Sequence, residues 1–199
     1  MTKIPLSTGT NLFGHMVALE CHLQDLKLVL RKTEEMEFPD HDDAPESELL
    51  GTDIFPDITR KSFLVTLLIA LDDQFKTFCE ILRKANGQRL KWSDLKGSPL
   101  ERFIVYGEKV SGLSSIYDES IRQKLVGLIE VRNCIIHNNS SIEGFGKRQV
   151  IESFSNQVEG VIIQGDFISL DLAACNSCAD IVLQFMERAY DSALAVFPR

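Results

Sequence analysis

The stretch FLVTLLIALDDQFKTFCEIL, residues 63–82, carries the reading of the fold. Within it Leu64, Leu68, Leu71, Phe75, Phe78 and Leu82 recur every three or four residues with no proline, the period of one buried face of an α-helix. The longest apolar stretch, Phe63 to Leu71, ends at Asp72 and Asp73 after nine residues. About 20 are needed to cross a hydrocarbon core, so this is the central core helix of a domain and nothing in the chain is expected to span a membrane. Asp57 is a good N-cap for it beside Ile58-Thr59-Arg60-Lys61, and Asn86-Gly87 supplies its stop.

Working outward, Leu12, Met16, Leu19, Leu23, Leu26 and Leu30 predict a first helix running to about Met36. An acidic loop at about 37–57, with Pro39, Pro45 and Pro56, separates the two helices. On the other side Gln88 to Pro99 is polar and turn-rich, and Leu100, Phe103, Ile104 and Val110 predict a shorter helix ending near Gly112. A fourth helix begins around Tyr117 to Asp118. Ile142 to Gln149 reads as a surface loop. Val158 to Ile163 and Asp166 to Leu170 are β-branched runs separated by Gln164-Gly165, a hairpin signal. Asp171 to Phe197 closes the chain as a helix, with Leu172, Cys175, Ala179, Val182, Leu183, Met186, Tyr190 and Leu194 at helical spacing. The fold class is mostly α: a single domain over 1–199, a helical bundle of about five helices with a small β-hairpin before the last one.

The 21 bases and 29 acids of the 199 residues leave a net charge of −8, which taken alone repels polyanions. Ten of the acids lie between Glu34 and Asp57, where no Lys or Arg occurs; the remaining chain holds 19 acids against 21 bases, a balance of +2. That acidic run reads as a solvated loop. Arg83 to Lys124, with nine bases against five acids, reads as a basic face able to guide a strand. Met1 to Asn11 has one Lys and no compact apolar run, so no secretory signal is expected and the chain reads as cytoplasmic. Five cysteines, an odd number, suit reduced and mostly buried thiols. Cys175-Asn-Ser-Cys178 is a lone pair that lacks two further zinc ligands and reads as buried thiols of a helix. Neither a metal nor a cofactor is called for.

On the fourth helix, at 100° per residue, Ile121, Leu125, Leu128, Ile129, Ile135 and Ile136 predict one apolar stripe with Arg132 in its middle. A guanidinium there must be paired or border a cleft, because it is costly to desolvate alone. Asn133 and His137, four residues apart, fall on an adjoining face. Asn138, Asn139, Ser140 and Ser141 can end the helix, leaving His137 in its last turn near the negative end of the helix dipole, a place that suits a proton-transferring imidazole.

Glu130-Val-Arg132-Asn133-Cys-Ile-Ile-His137-Asn138 resembles the signature of the HEPN superfamily: an Arg, a polar residue, three variable residues and a His, often followed by Asn. The resemblance implies a bundle of four or five helices with the motif near the end of a late helix. It implies a metal-independent endoribonuclease, typically a homodimer whose two motifs face each other across a shared cleft. Carried over by position, Arg132 binds and stabilises the scissile phosphate, Asn133 orients it or its partner side chains, and His137 is the general acid or base. An RNA substrate, a toxin or phage-defence setting and an antitoxin or other partner protein belong to the same expectation. The alternative is a non-catalytic HEPN-like interaction or scaffold protein, with Arg132 ion-paired to Asp72 or Asp73.

Overall fold

The computed structural model describes residues 7–36 and 54–198. Six α-helices occur among them: α1 Thr8–Glu34, α2 Phe55–Ala85, α3 Pro99–Val105, α4 Glu119–His137, α5 Arg148–Ser155 and α6 Leu172–Val196. Strands β1 Val161–Gln164 and β2 Phe167–Leu170 form an antiparallel hairpin immediately before α6. The fold class is therefore mostly α with a hairpin before the last helix, as the hydrophobic periods predict. The acidic run over 37–53 lies outside the described residues. No helix among the described residues is long and apolar enough to cross a membrane.

The described residues divide into two compact units, one within 7–22, 69–122 and 182–198 and the other within 23–36, 54–68 and 123–181. The first has an aromatic core. Phe75 of α2 stacks on Phe103 of α3 with ring centroids 4.3 Å apart, and Phe78 meets Tyr190 of α6 edge to face at 5.1 Å. Offset and edge-on pairs of this kind add about 0.5–1.5 kcal/mol each beyond the area they bury. The Tyr190 hydroxyl donates to Gln74 Oε1 at 3.0 Å, so the phenol is satisfied inside the core. Ser98 caps α3 reciprocally: Glu101 N donates to Ser98 Oγ at 3.3 Å and Ser98 N donates to Glu101 Oε2 at 2.8 Å. The bonds that Ser98 N and, at 3.0 Å, Ser98 Oγ donate to Glu101 Oε2 hold the Glu101 carboxyl below its ordinary value. The helix expected to reach Gly112 stops being α at Val105 and continues as a π-turn over Tyr106–Val110. The missing Cβ of Gly107 accounts for the close approach there, since a methyl would stand 2.7 Å from Ile116 Cδ1.

The second unit has an aliphatic core that includes Leu64, Leu67, Leu125, Leu128, Val131, Ile151, Ile168 and Leu170. Arg60 Nε and Nη2 grip the Glu34 carboxylate while Nη1 donates to Leu170 O at 3.2 Å, so one part-buried guanidinium ties the end of α1 to the end of β2. Asp171 caps α6, accepting from Ala174 N at 2.7 Å.

Three boundaries move for physical reasons. α2 opens at Phe55, not at an Asp57 N-cap, because a proline is tolerated in a first helical turn; Asp57 instead ion-pairs with Lys61 at 2.7 Å. The loop expected over Ile142–Gln149 gives way to α5 at Arg148. Its N-cap position is Lys147, which makes no side-chain cap, so the usual start signal is missing. The first strand starts at Val161 because Val158 is still bonded to the end of α5, its N–H donating to Phe154 O at 3.0 Å.

Candidate functional site

Helix α4 begins where Asp118 Oδ1 accepts from Ser120 N at 2.9 Å and Ile121 N at 3.3 Å. Its buried face passes through Leu125, Gly127, Leu128, Val131 and Cys134. This corrects the apolar stripe drawn through Ile121, Ile129, Ile135 and Ile136: Ile136 is 47% exposed, and Arg132 lies on the margin of the buried face rather than in its middle. Gly127 turns the helix. It admits the Phe154 ring of α5 so closely that a Cβ would stand 2.6 Å from Cδ2, and a glycine contributes nothing to a hydrophobic period.

Arg132 and Asn133 are both part-buried, and Arg132 Nη1 donates to Asn133 Oδ1 at 3.1 Å. Asn133 Nδ2 in turn donates to Glu130 Oε2 at 3.4 Å. A carboxylate one turn back thus orients the amide, and the amide oxygen faces the guanidinium. Glu130 was no candidate on spacing; its place three residues before Asn133 is the signal that could have found it. His137, the last residue of α4, is exposed. The structure joins Arg132 to Asn133 and leaves the imidazole in solvent one turn beyond the amide.

The backbone after His137 is fixed by its own side chains. Asn139 and Ser140 hold positive φ angles of 49° and 65°, an uncommon pair of consecutive left-handed residues without glycine. Asn138 Nδ2 donates to Ser141 O and to Glu143 O, the latter at 3.0 Å, and Ser140 N donates to Cys134 O at 3.2 Å. The hairpin braces the same turn: Ile168 N donates to Ser140 O at 2.9 Å and Ile142 N to Asp166 O at 2.7 Å, with Ser141 bridged to Phe167 between them. The site therefore ends in a pinned turn and not in a loose helix terminus.

The cysteines fall outside this chemistry. Cys79, Cys134, Cys175 and Cys178 are buried and only Cys21 is exposed. Burial pushes the Cys175 thiol up to about 12 and raises Cys134 and Cys178 too, which leaves no thiolate for ligation or attack near neutral pH. Among the described residues, no group of three or more His, Cys, Asp or Glu is placed to hold a metal ion. No family model, curated protein or solved structure matches the chain.

Proposed function

We propose that the chain is a metal-independent endoribonuclease of the HEPN type, with Arg132, Asn133 and His137 as its site. The observation that supports this most directly is the Arg132–Asn133 bond of 3.1 Å on the helix whose final residue is an exposed histidine. RNA cleavage without a metal needs a base near neutrality to take the 2′-hydroxyl proton, and a fixed fork of donors for the charge that gathers on the non-bridging phosphate oxygens. In this reading O2′ attacks phosphorus, the P–O5′ bond breaks and the departing O5′ takes up a proton, leaving a 2′,3′-cyclic phosphate and a 5′-hydroxyl. His137 moves a proton in that sequence. Arg132 supplies the donors, and Asn133, steadied by Glu130, keeps the fork in place.

A homodimer with facing motifs, a toxin or defence setting and an antitoxin or other protein partner belong to the same reading. The net charge of −8 favours a second one, an HEPN-like scaffold without catalysis. The deciding experiment is incubation of purified tRNA and total RNA, in EDTA, with the parent and with His137→Ala, followed by end-group analysis. The expected result is cyclic phosphate ends from the parent, and a rate lower by about 10²–10⁴ in the variant. Equal activity or equal inactivity of the two overturns the catalytic reading in favour of the scaffold.

A further inference from the structure

We propose that the outward face of the β1–β2 hairpin, centred on Phe167 with Ile162 beside it, is a stacking platform for unpaired bases of an RNA strand held at the end of α4. The register pairs Ile162 with Ser169 and Gln164 with Phe167, so these four side chains share one face, while Val161, Ile163, Ile168 and Leu170 share the other. The inner face is spent on the core, with Val161 at 5%, Ile168 at 1% and Leu170 at 3% exposure. On the outer face Phe167 is 58% and Ile162 50% exposed.

Phe167 also adjoins the candidate site. Hydrogen bonds on either side of the Ser141–Phe167 bridge make the two residues a close antiparallel pair, in which side chains stand on the same face. Ser141 N donates to Asn138 O at 2.9 Å, and Asn138 follows His137 directly, so the ring stands one tight turn from the imidazole's backbone. Arg148 Nη1 meets Asp166 Oδ1 of the hairpin turn at 3.2 Å, and its chain neighbour Lys147, which is exposed, is the phosphate contact assigned to this platform.

The size of the face chooses the occupant. Each strand has four residues, about 13 Å, and presents two apolar side chains, whereas a stable protein interface needs roughly 800 Å² and 20–30 residues a side. One exposed ring flanked by Gln164 and Ser141 suits a flat base with a polar edge, and stacking of this kind tolerates any base. That the polymer is RNA rests on the ribonuclease reading; the platform itself is read from the hairpin.

The test is fluorescence anisotropy of labelled single-stranded rA, rU and rC 12-mers on the full chain in a His137→Ala background, with Phe167→Ala, Phe167→Trp and Lys147→Ala added separately. Parallel cleavage assays use otherwise unmodified chains. Phe167→Ala is expected to weaken binding about tenfold, inside the range of about 5- to 150-fold for loss of one stacked base, with the salt slope unchanged. Phe167→Trp is expected to restore affinity, and Lys147→Ala to reduce the salt slope by about one. Unchanged affinity in Phe167→Ala, failure of Trp to rescue, or no binding of any 12-mer overturns the platform. So does a change of oligomeric state in Phe167→Ala by sedimentation, which would make the face a contact between copies. Phe167-dependent binding by a chain that does not cleave upholds the platform and removes the ribonuclease reading; cleavage indifferent to Phe167 does the reverse.

Discussion

Gly127 and Phe154 approach so closely that a Cβ on the glycine would lie 2.6 Å from Phe154 Cδ2 and 2.7 Å from its Cβ and Cγ. The contact is buried, with Phe154 2% exposed, so the ring has little room to retreat. Gly127→Ala gains about 1 kcal/mol of helix propensity and loses more to overpacking, for a net destabilisation of about 1–2 kcal/mol. Urea unfolding should show a lower midpoint with an unchanged slope. A midpoint at or above that of the parent means α4 and α5 separate without cost.

Gly160 is held at φ 83°, and a Cβ there would fall 1.8 Å from Asp171 Oδ1, the atom that caps α6. Gly160→Ala is expected to cost about 2–4 kcal/mol, and Asp171→Ala about 1 kcal/mol. The double variant should be less unstable than the sum, because removing the carboxylate relieves its share of the clash and leaves the 2.7 Å approach to Ala174 N and the positive φ. Strict additivity in chemical denaturation contradicts this geometry.

Asn138 is the clamp of the turn that ends the site, donating to Ser141 O and Glu143 O. Asn138→Ala takes this donor from Glu143 O and leaves Ser141 O with the weak Cys134 thiol donor at 3.0 Å, beside two left-handed residues, at an expected cost of about 1–2 kcal/mol. Asn138→Asp, which cannot donate, should be at least as damaging at neutral pH, and the pair compared by thermal melting tests whether donation is what matters.

Burial and the neighbouring Glu20 and Asp191 raise the Glu187 carboxyl above the ordinary glutamate value of 4.5. A raised carboxyl binds its proton more tightly folded than unfolded. Its contribution is therefore most favourable below about pH 4.5 and is lost as pH rises through the higher folded value. Glu187→Gln should accordingly raise the melting temperature at pH 7, with a gain that shrinks toward pH 4 and in high salt. A gain equal at both pH values assigns the effect to something other than ionisation.

Much of this architecture is written in residue periods. All six stripe positions of 63–82 are buried, because a long helix packed on one side leaves an unambiguous 3.6-residue trace. The hairpin was legible from its β-branched runs, with Gly165 at φ 62° opening a two-residue turn. α5 was not, since its first residue follows an uncapped Lys147 and its buried Ile151 and Phe154 span a single turn. At the site, Arg132, Asn133 and His137 could be picked out because one helix carries them all. The rotation of α4 toward Gly127, the Glu130–Asn133 bond and the Asn138 clamp could not, because each depends on which partner a side chain finds. Strand alternation likewise groups Phe167 with Ile162 without saying which face the core takes.

The bonds from Ile168 N to Ser140 O and from Ile142 N to Asp166 O have a kinetic corollary. Neither amide can meet deuterium until the hairpin and the turn after His137 part, so the two should exchange at matching rates as one cooperative opening unit. The placement of His137 is then as durable as a pair of four-residue strands that begin more than twenty positions further along the chain. Loosening that distant hairpin should blur the imidazole's position while α4 itself stays wound.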